Sequence, residues 1–250
     1  MTPGPTVDLS NYFKLKSALA PQLRFNQVIY EEALAEHVRP GIVWLDAGCG
    51  RRILPPWREN AERILVSTSK LALGCDVDVP GMQAHRTLRR LVATNLEQLP
   101  FGTETIDLIT SNMVVEHLDD PAAVFSEFAR VLRPGGRVVV HTPNAYSYFV
   151  IASRLLPSGR FKQRLASRLD GRDEMEVFPT RYRANTPAKL RSLMVQAGLR
   201  QETCHLVANE AVSARVSRIL AALELLYIRL TLLRAFRLLR VTILASFVKA

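Results

Sequence analysis

The sequence has few cysteines, no signal-like N-terminus and no long uncharged apolar run. Its three cysteines, Cys49, Cys75 and Cys204, form no CxxC or Cys/His pattern, so we expect reduced thiols and no metal site. The opening residues MTPGPTVDLSNYFKLK lack a basic region followed by an apolar core, so we expect no secretory signal. No stretch reaches the roughly 18 apolar residues that a spanning helix needs. These absences predict a cytoplasmic protein, and they leave open whether it contacts the inner face of the membrane.

Positive charge is concentrated in the last hundred residues. Residues 1–150 carry 15 Lys and Arg against 16 Asp and Glu, whereas residues 151–250 carry 18 against 7. Such asymmetry indicates that the C-terminal part meets a negative partner. Anionic lipid, a phosphorylated substrate and nucleic acid are the alternatives that charge alone leaves open.

Apolar segments alternate with helical patterns over residues 42–142, which predicts an α/β fold with a parallel sheet covered on both faces. The predicted strands are 42–47, 71–76, 91–94, 106–111, 137–142, 199–206 and 241–248. The predicted helices are 22–38, 57–62, 121–132, 187–197 and 213–240. For domain organisation we expect a leader over 1–24 and one domain over 25–250, with a lid insertion at 145–183.

Groups suited to a nucleotide-like ligand follow four successive predicted strands. The first strand ends in Asp46 and a Gly-x-Gly turn, where missing Cβ atoms let the backbone lie close to a ligand. An acid at the end of the second strand is placed to accept bonds from a ribose diol. The groups are Asp46, Gly48 and Gly50 after strand one, Asp76 after strand two, Asn95 and Leu96 after strand three, and Asn112 after strand four.

At these positions the sequence resembles the class I S-adenosylmethionine-dependent methyltransferases, near the type 11 and ubiquinone/menaquinone branch. The resemblance covers roughly residues 25–206. It is carried by WLDAGCG (44–50), LGCD (73–76), TNLEQLPF (94–101), IDLITSNMVVEHLDDP (106–121), VLRPGGRVVVHTPN (131–144) and NTPAKLRSLMVQAGL (185–199). It implies a Rossmann-like, seven-stranded, mostly parallel sheet whose last strand is antiparallel, flanked by helices, with S-adenosylmethionine as cofactor.

The resemblance also implies a role for each matching residue. Asp46, Gly48 and Gly50 would cradle the methionine part of the cofactor, and Asp76 would bind the ribose hydroxyls. Asn95 and Leu96 would hold the adenine, and Asn112 would line the methyl end. The chain departs from the family at Arg51-Arg52, where a small residue is usual, and at Asn95, where an acid is usual. Arg52 would either pair with the carboxylate of the cofactor or face solvent.

The candidate general base is His117, which lies just beyond strand four, at the expected methyl end of the cofactor. Methyl transfer from a sulfonium needs the two reactants to be positioned and the acceptor to lose a proton. Glu116 would orient His117 or act in its place. The alternative is that His117 only caps the next turn. His141, at the end of strand five, is a second candidate.

Two later segments carry residues suited to binding the methyl acceptor or a membrane surface. Arg181, Tyr182 and Arg183 lie in the predicted lid, and arginine binds phosphate or carboxylate in a two-point fashion. An anionic acceptor is therefore one interpretation, and a solvated basic surface is the other. Residues 213–240 mix a broad apolar face with recurring arginines, as in an amphipathic helix at a membrane surface. A core helix or a subunit interface is the alternative.

Together these patterns predict a methyltransferase acting on a small or lipid-linked acceptor. O-methylation of a sugar, glycolipid or quinone-type intermediate fits a histidine base. The strand-five sequence Thr142-Pro143-Asn144 lacks the Asn/Asp-Pro-Pro-aromatic signature of base methylation, which disfavours nucleic acid as partner. The alternative from another class is a non-catalytic protein of the same fold that binds a partner or membrane through residues 213–240. The oligomeric state is left open.

Overall fold

The computed structural model describes residues 10–155, 178–211, 213 and 217–250. The chain divides into two compact units. The larger unit comprises residues 27–144, 180–205 and 243–250, and the smaller unit comprises the described residues of 1–26, 145–179 and 206–242. The helices are α1 (Ser10–Leu19), α2 (Asn26–His37), α3 (Glu59–Thr68), α4 (Val79–Gln83), α5 (Pro121–Val131), α6 (Tyr148–Leu155), α7 (Pro187–Gln196) and α8 (Arg218–Leu232). Short 3₁₀ helices span Pro56–Arg58, Val115–His117 and Arg234–Leu239.

The centre of the larger unit is a seven-stranded sheet in the order β3-β2-β1-β4-β5-β7-β6. Its strands are β1 (Val43–Ala47), β2 (Leu71–Asp76), β3 (Arg90–Ala93), β4 (Ile106–Asn112), β5 (Leu132–Pro143), β6 (Leu199–Val207) and β7 (Thr242–Lys249). Strands β1 to β5 pair in parallel, with Asp46 opposite Gly74 on one side and Thr110 on the other. Strand β7 is antiparallel. The predicted Rossmann-like sheet is therefore confirmed.

Local sequence explains where the helices of the larger unit begin. Asp120 accepts hydrogen bonds from the backbone N–H groups of Ala122 and Ala123 at 3.0 and 3.1 Å, and Pro121 follows as the first helical residue. Thr186 Oγ1 accepts from Lys189 N at 3.2 Å ahead of α7. Both arrangements satisfy N–H groups that have no partner within the helix. Both predicted helix starts are thereby confirmed.

The smaller unit contains α1, α6 and α8. Its core joins Ala20 and Leu23, which follow α1, to two residues of α8, Leu225 and Ile228. The hydroxyl of Tyr148 and the hydroxyl and backbone N–H of Ser213 donate to the buried carboxylate of Glu224. Among the helices that the structure describes, none is both long and apolar enough to cross a bilayer.

Several boundaries differ from the sequence-based expectations. The predicted leader contains the helix α1, which packs in the core of the smaller unit. The predicted single helix over 213–240 is wrong, because Leu233 is extended (ψ 141°) and separates α8 from a 3₁₀ helix. Strand β5 begins at Leu132 rather than at 137, since it takes in the Pro-Gly-Gly segment with a register shift opposite β4. Residues 156–177 of the predicted lid lie outside the described residues.

Candidate functional site

The site is built on the turn that follows β1. Strand β1 lies between β2 and β4, so the order of the sheet reverses there, and ligands of such sheets bind beyond the carboxyl ends of the strands. Gly48 and Gly50 adopt left-handed φ values of +81° and +46°, which favour glycine. The backbone N–H groups of Gly48 and Cys49 donate to Cys75 O at 2.8 and 3.1 Å. These bonds attach the turn to the end of β2.

A second unusual backbone segment lies against this turn. Met113, directly after β4, has a φ of +59°, and its N–H donates to His141 O at 2.7 Å. A non-glycine residue in this region costs about 1–2 kcal/mol, a strain that often marks functional sites. The next residue, Val114, packs on Gly48 so closely that a Cβ at position 48 would lie 2.3 Å from Val114 Cγ2. Glycine is therefore required at position 48 for space as well as for conformation.

Asp76 ends β2 and faces the same turn. Its Oδ2 accepts from Gly50 N and its Oδ1 accepts from Asp78 N, both at 2.8 Å. A carboxylate offers about four acceptor positions, and these bonds use two of them. Asp76 is thus fixed in orientation while it keeps acceptor capacity for a diol.

Asp46 lies deeper than its neighbours and is only 3% exposed. It accepts a hydrogen bond from Thr110 Oγ1 at 2.5 Å, and Thr110 in turn accepts from Trp44 Nε1 at 2.8 Å. Burial raises the pKa of Asp46 to about 7, although the bond from Thr110 opposes the shift. The Asp46 carboxyl therefore belongs to a buried network that links β1 to β4 under the glycine turn.

Asn112 and His141 form a pair at the ends of β4 and β5. His141 Nδ1 donates to Asn112 Oδ1 at 2.8 Å, and Asn112 Nδ2 donates to Gln27 Oε1 and Ile53 O at 3.0 and 3.2 Å. His141 is completely buried, stacks on Tyr30 with ring centroids 5.4 Å apart, and has its pKa lowered to about 4 by burial. As a neutral interior residue it orients Asn112, and it has no exposed surface with which to reach an acceptor.

The three remaining cofactor candidates are less enclosed or point elsewhere. Arg52 is exposed, and its side chain forms no ion pair with the residues that the structure describes, although its charge acts on His85 and Glu59. Asn95 is exposed and its Oδ1 accepts from Glu97 N at 3.2 Å, whereas Leu96 is buried. Both follow β3, which pairs with β2 in parallel, so they share the edge of the sheet that carries Asp76.

The candidate acid–base pair lies on the 3₁₀ helix after β4. Glu116 is buried, its Oε2 accepts from Thr142 Oγ1 at 2.9 Å, and its Oε1 lies 3.8 Å from Nε2 of His117. The His117 side chain is 24% exposed. Asn185 Nδ2 donates to Thr142 Oγ1 at 2.6 Å. His117 is thus the accessible member, and Glu116 is the buried member held by β5.

The predicted acceptor-binding segment is attached to the same loop. The backbone N–H groups of Arg181 and Tyr182 donate to Glu116 O at 2.6 and 3.0 Å. Arg181 Nε lies 2.9 Å from Asp119 Oδ1, and an Nη atom of Arg183 donates to Asp119 O at 2.9 Å. Both guanidinium groups therefore hold the loop after Glu116 in this structure.

Sequence reasoning missed Glu62, which organises the segment after the glycine turn. Its Oε2 accepts from the backbone N–H groups of Ile53 and Leu54 at 3.1 and 2.8 Å, and its Oε1 accepts from Thr87 Oγ1. Glu62 is 2% exposed and its pKa is raised by burial. Glu62 lies on an amphipathic helix, where an acid is expected to face water, so the pattern gives no signal for this role.

Residues 45–140 match the family described as methyltransferase domain. This match agrees with the resemblance to methyltransferases that the sequence motifs carry. The chain is similar to a probable S-adenosylmethionine-dependent methyltransferase of Mycolicibacterium smegmatis, 30% identical over 128 residues that cover 50% of this chain and 46% of the relative. It is also similar to the malonyl-[acyl-carrier protein] O-methyltransferase of Hahella chejuensis, 37% identical over 105 residues that cover 39% of this chain and 35% of the relative.

Among solved structures, the chain is similar in fold to geranyl diphosphate C-methyltransferase of Streptomyces coelicolor, a complex that contains S-adenosyl-L-homocysteine. The TM-score is 0.55 at 14% identity, over 90% of this chain and 81% of that one. These findings confirm the predicted family and S-adenosylmethionine as the cofactor of that family. The chain spans less than half the length of the two curated relatives named above.

Proposed function

We propose that this protein transfers the methyl group of S-adenosylmethionine to an oxygen atom of a small or lipid-linked acceptor, such as a sugar, glycolipid or quinone-type intermediate. The observation that supports this most is the glycine turn after β1, closed over by Val114 and bonded to Asp76. The turn, Asp76 and Asn112 lie at adjoining strand ends inside a segment that matches the methyltransferase domain family. The acyl-carrier-protein relative named above is an O-methyltransferase, which supports oxygen as the accepting atom.

The residues fit the cofactor that the family implies. Asp76 offers acceptors to the ribose diol, Gly48 and Gly50 let the backbone approach, and exposed Arg52 supplies a cation for the carboxylate. S-adenosylmethionine supplies an activated methyl group on a sulfonium, so the protein has to position the acceptor and accept its proton. In this proposal His117 accepts that proton, and Glu116 acts as a positioning residue that stabilises the imidazolium from 3.8 Å.

Isothermal titration with S-adenosylmethionine tests the cofactor half of the proposal. Asp76→Asn keeps one carbonyl oxygen but loses the charge and one acceptor, so we expect the Kd to rise about tenfold, which corresponds to about 1.4 kcal/mol. Asp107→Asn serves as the control, since that acid pairs with Arg133 at the amino end of β4, opposite the carboxyl ends that carry the candidate site. Absence of heat with the unmodified protein would contradict the proposal and favour the non-catalytic alternative.

An untargeted search for methylated metabolites and lipids in a deletion strain tests the acceptor half. A strain that carries His117→Ala should lack the same methylated product, because the proton would have no acceptor, while purified H117A should bind the cofactor with unchanged affinity. Glu116→Gln should reduce the product less, since it keeps the bond from Thr142. Equal loss of cofactor binding in H117A would assign His117 a structural role.

A further inference from the structure

The outward face of the C-terminal helical segment in the smaller unit is apolar and basic. We call the basic–apolar face the set of exposed large apolar and arginine side chains on α8, on the 3₁₀ helix that follows it and on Leu233 between them. It consists of Ile219, Leu220, Leu223, Leu226, Leu230, Leu233, Phe236 and Leu238 with Arg229, Arg234 and Arg237. Ile219 is 75% exposed, Leu223 58% and Leu233 57%. Large apolar side chains at this density on a surface mark an interaction site.

The spacing shows that this face is a stripe rather than scattered exposure. Positions 219, 223, 226 and 230 are four, three and four residues apart, which places them on one side of α8, and the extended Leu233 follows the end of that helix. The opposite side is occupied, since Leu225 and Ile228 are buried in the core of the smaller unit. The inner side of α8 is therefore already buried within this unit, and the exposed stripe is not part of its core.

Charge selects the occupant of the face. Glu224 is the only acidic residue between positions 211 and 250, and it is buried, where it accepts from Tyr148 and Ser213. Arg229, Arg234 and Arg237 take part in no ion pair within the described residues. A second copy of the chain would bring the same uncompensated arginines opposite each other. An anionic surface would neutralise them and accept the apolar side chains at the same time.

We infer that the basic–apolar face docks on an anionic lipid bilayer, with its leucines inserted at the headgroup boundary and its arginines against lipid phosphates. The 3₁₀ helix contributes to this face because side chains three residues apart are aligned, which places Arg234 and Arg237 on one line. Arg240, next on that line, donates instead to the carbonyl oxygens of Thr231, Leu206 and Leu232 at 3.0, 3.0 and 3.3 Å. It thereby fixes the segment that carries the other two arginines.

Flotation with vesicles tests the inference. The unmodified protein should float with phosphatidylcholine vesicles that contain phosphatidylglycerol and remain unbound with phosphatidylcholine alone. Each arginine near such a surface contributes about 1 kcal/mol, so the double variant Arg234→Gln/Arg237→Gln should bind about 30-fold more weakly. The matched control is Arg191→Gln/Arg200→Gln, which loses the same charge from exposed positions of the larger unit and should bind like the unmodified protein.

Three results would overturn the inference: no flotation with anionic vesicles, equal binding to neutral vesicles, or equal loss in both double variants. Sedimentation that shows a dimer abolished by Leu226→Ser, without vesicle binding, would assign the face to a second copy. The unfolding midpoint of each variant should stay close to that of the unmodified protein, since the side chains of the replaced arginines form no hydrogen bond or ion pair with the residues that the structure describes. Docking is independent of the proposed methyl transfer, because cofactor titration and vesicle flotation are measured separately and either can fail alone.

Discussion

Replacing Gly48 by alanine tests the two reasons why this position requires glycine: its left-handed backbone conformation and the lack of space for a Cβ atom. Gly48 has a φ of +81°, and a Cβ at this position would lie 2.3 Å from Cγ2 and 2.9 Å from Cγ1 of Val114. Gly198, after α7, has a similar φ of +87° but nothing within 4 Å of its Cβ position. Gly198→Ala is therefore a matched control that changes the backbone preference without a clash.

The structure gives the size of the expected difference. Both substitutions place alanine in the left-handed region, at a cost of about 1–2 kcal/mol. Only Gly48→Ala adds overpacking, which costs about 1–3 kcal/mol in well-packed sites. An extra 2 kcal/mol lowers the unfolding midpoint by about 4–8 °C in a chain of this size. Because the clash pushes the turn away from Val114, we also expect cofactor affinity to fall at least about tenfold in G48A alone.

Thermal unfolding and titration with S-adenosylmethionine measure both quantities in each variant. Val114→Ala removes both Cγ atoms, so the double variant Gly48→Ala/Val114→Ala should recover stability to near that of G198A. The reasoning is refuted if G48A and G198A have the same midpoint and the same cofactor affinity. It is also refuted if the double variant is less stable than G48A.

Two further predictions concern buried carboxyl groups near the site. Asp46 has a pKa of about 7 when folded and about 4 when unfolded, so its contribution to stability is fully present below pH 4 and is lost as the pH rises to 7. In urea unfolding, the free energy of unfolding of Asp46→Asn, relative to that of the unmodified protein, should therefore rise by about 4 kcal/mol between pH 4 and pH 7. Parallel pH curves for the two proteins would contradict this. Glu62→Leu should lose about 2–6 kcal/mol because two backbone N–H groups lose their acceptor, and cofactor binding should weaken with it. Glu62→Gln keeps an acceptor oxygen and should stay within about 1 kcal/mol of the unmodified protein; similar losses in both variants would show that those bonds do not matter.

The parts of the fold that the sequence predicted are those that depend on neighbouring residues. Apolar runs that end in Asp46 and Asp76 predicted β1 and β2, and proline after a capping residue predicted the starts of α5 and α7. The periodicity of residues 213–240 also predicted an amphipathic helix, although it gave no signal for the extended residue Leu233 that interrupts it.

What the sequence could not predict depends on side chains that come from remote positions. The position of His141 at the end of the predicted strand five suggested a base, whereas the structure buries it in a stack on Tyr30 and makes it a partner of Asn112. No pattern in the sequence points to Glu62, because only the folded chain brings Ile53 and Leu54 to its carboxylate. The left-handed conformation of Met113 also has no signal in the sequence, since it falls on a residue other than glycine.

Two cysteine thiols beside the glycine turn allow local opening of the turn to be measured even though the methyl acceptor is not identified. Cys49 and Cys75 are fully buried, and burial raises both thiol pKa values, that of Cys75 to about 12. A thiol reagent needs a thiolate that solvent can reach, so each of these cysteines can be alkylated only while the turn is locally open. The rate at which they are labelled therefore measures how often this segment opens. Any molecule that binds the closed turn will lower this labelling rate, and the size of the decrease gives the affinity of that molecule.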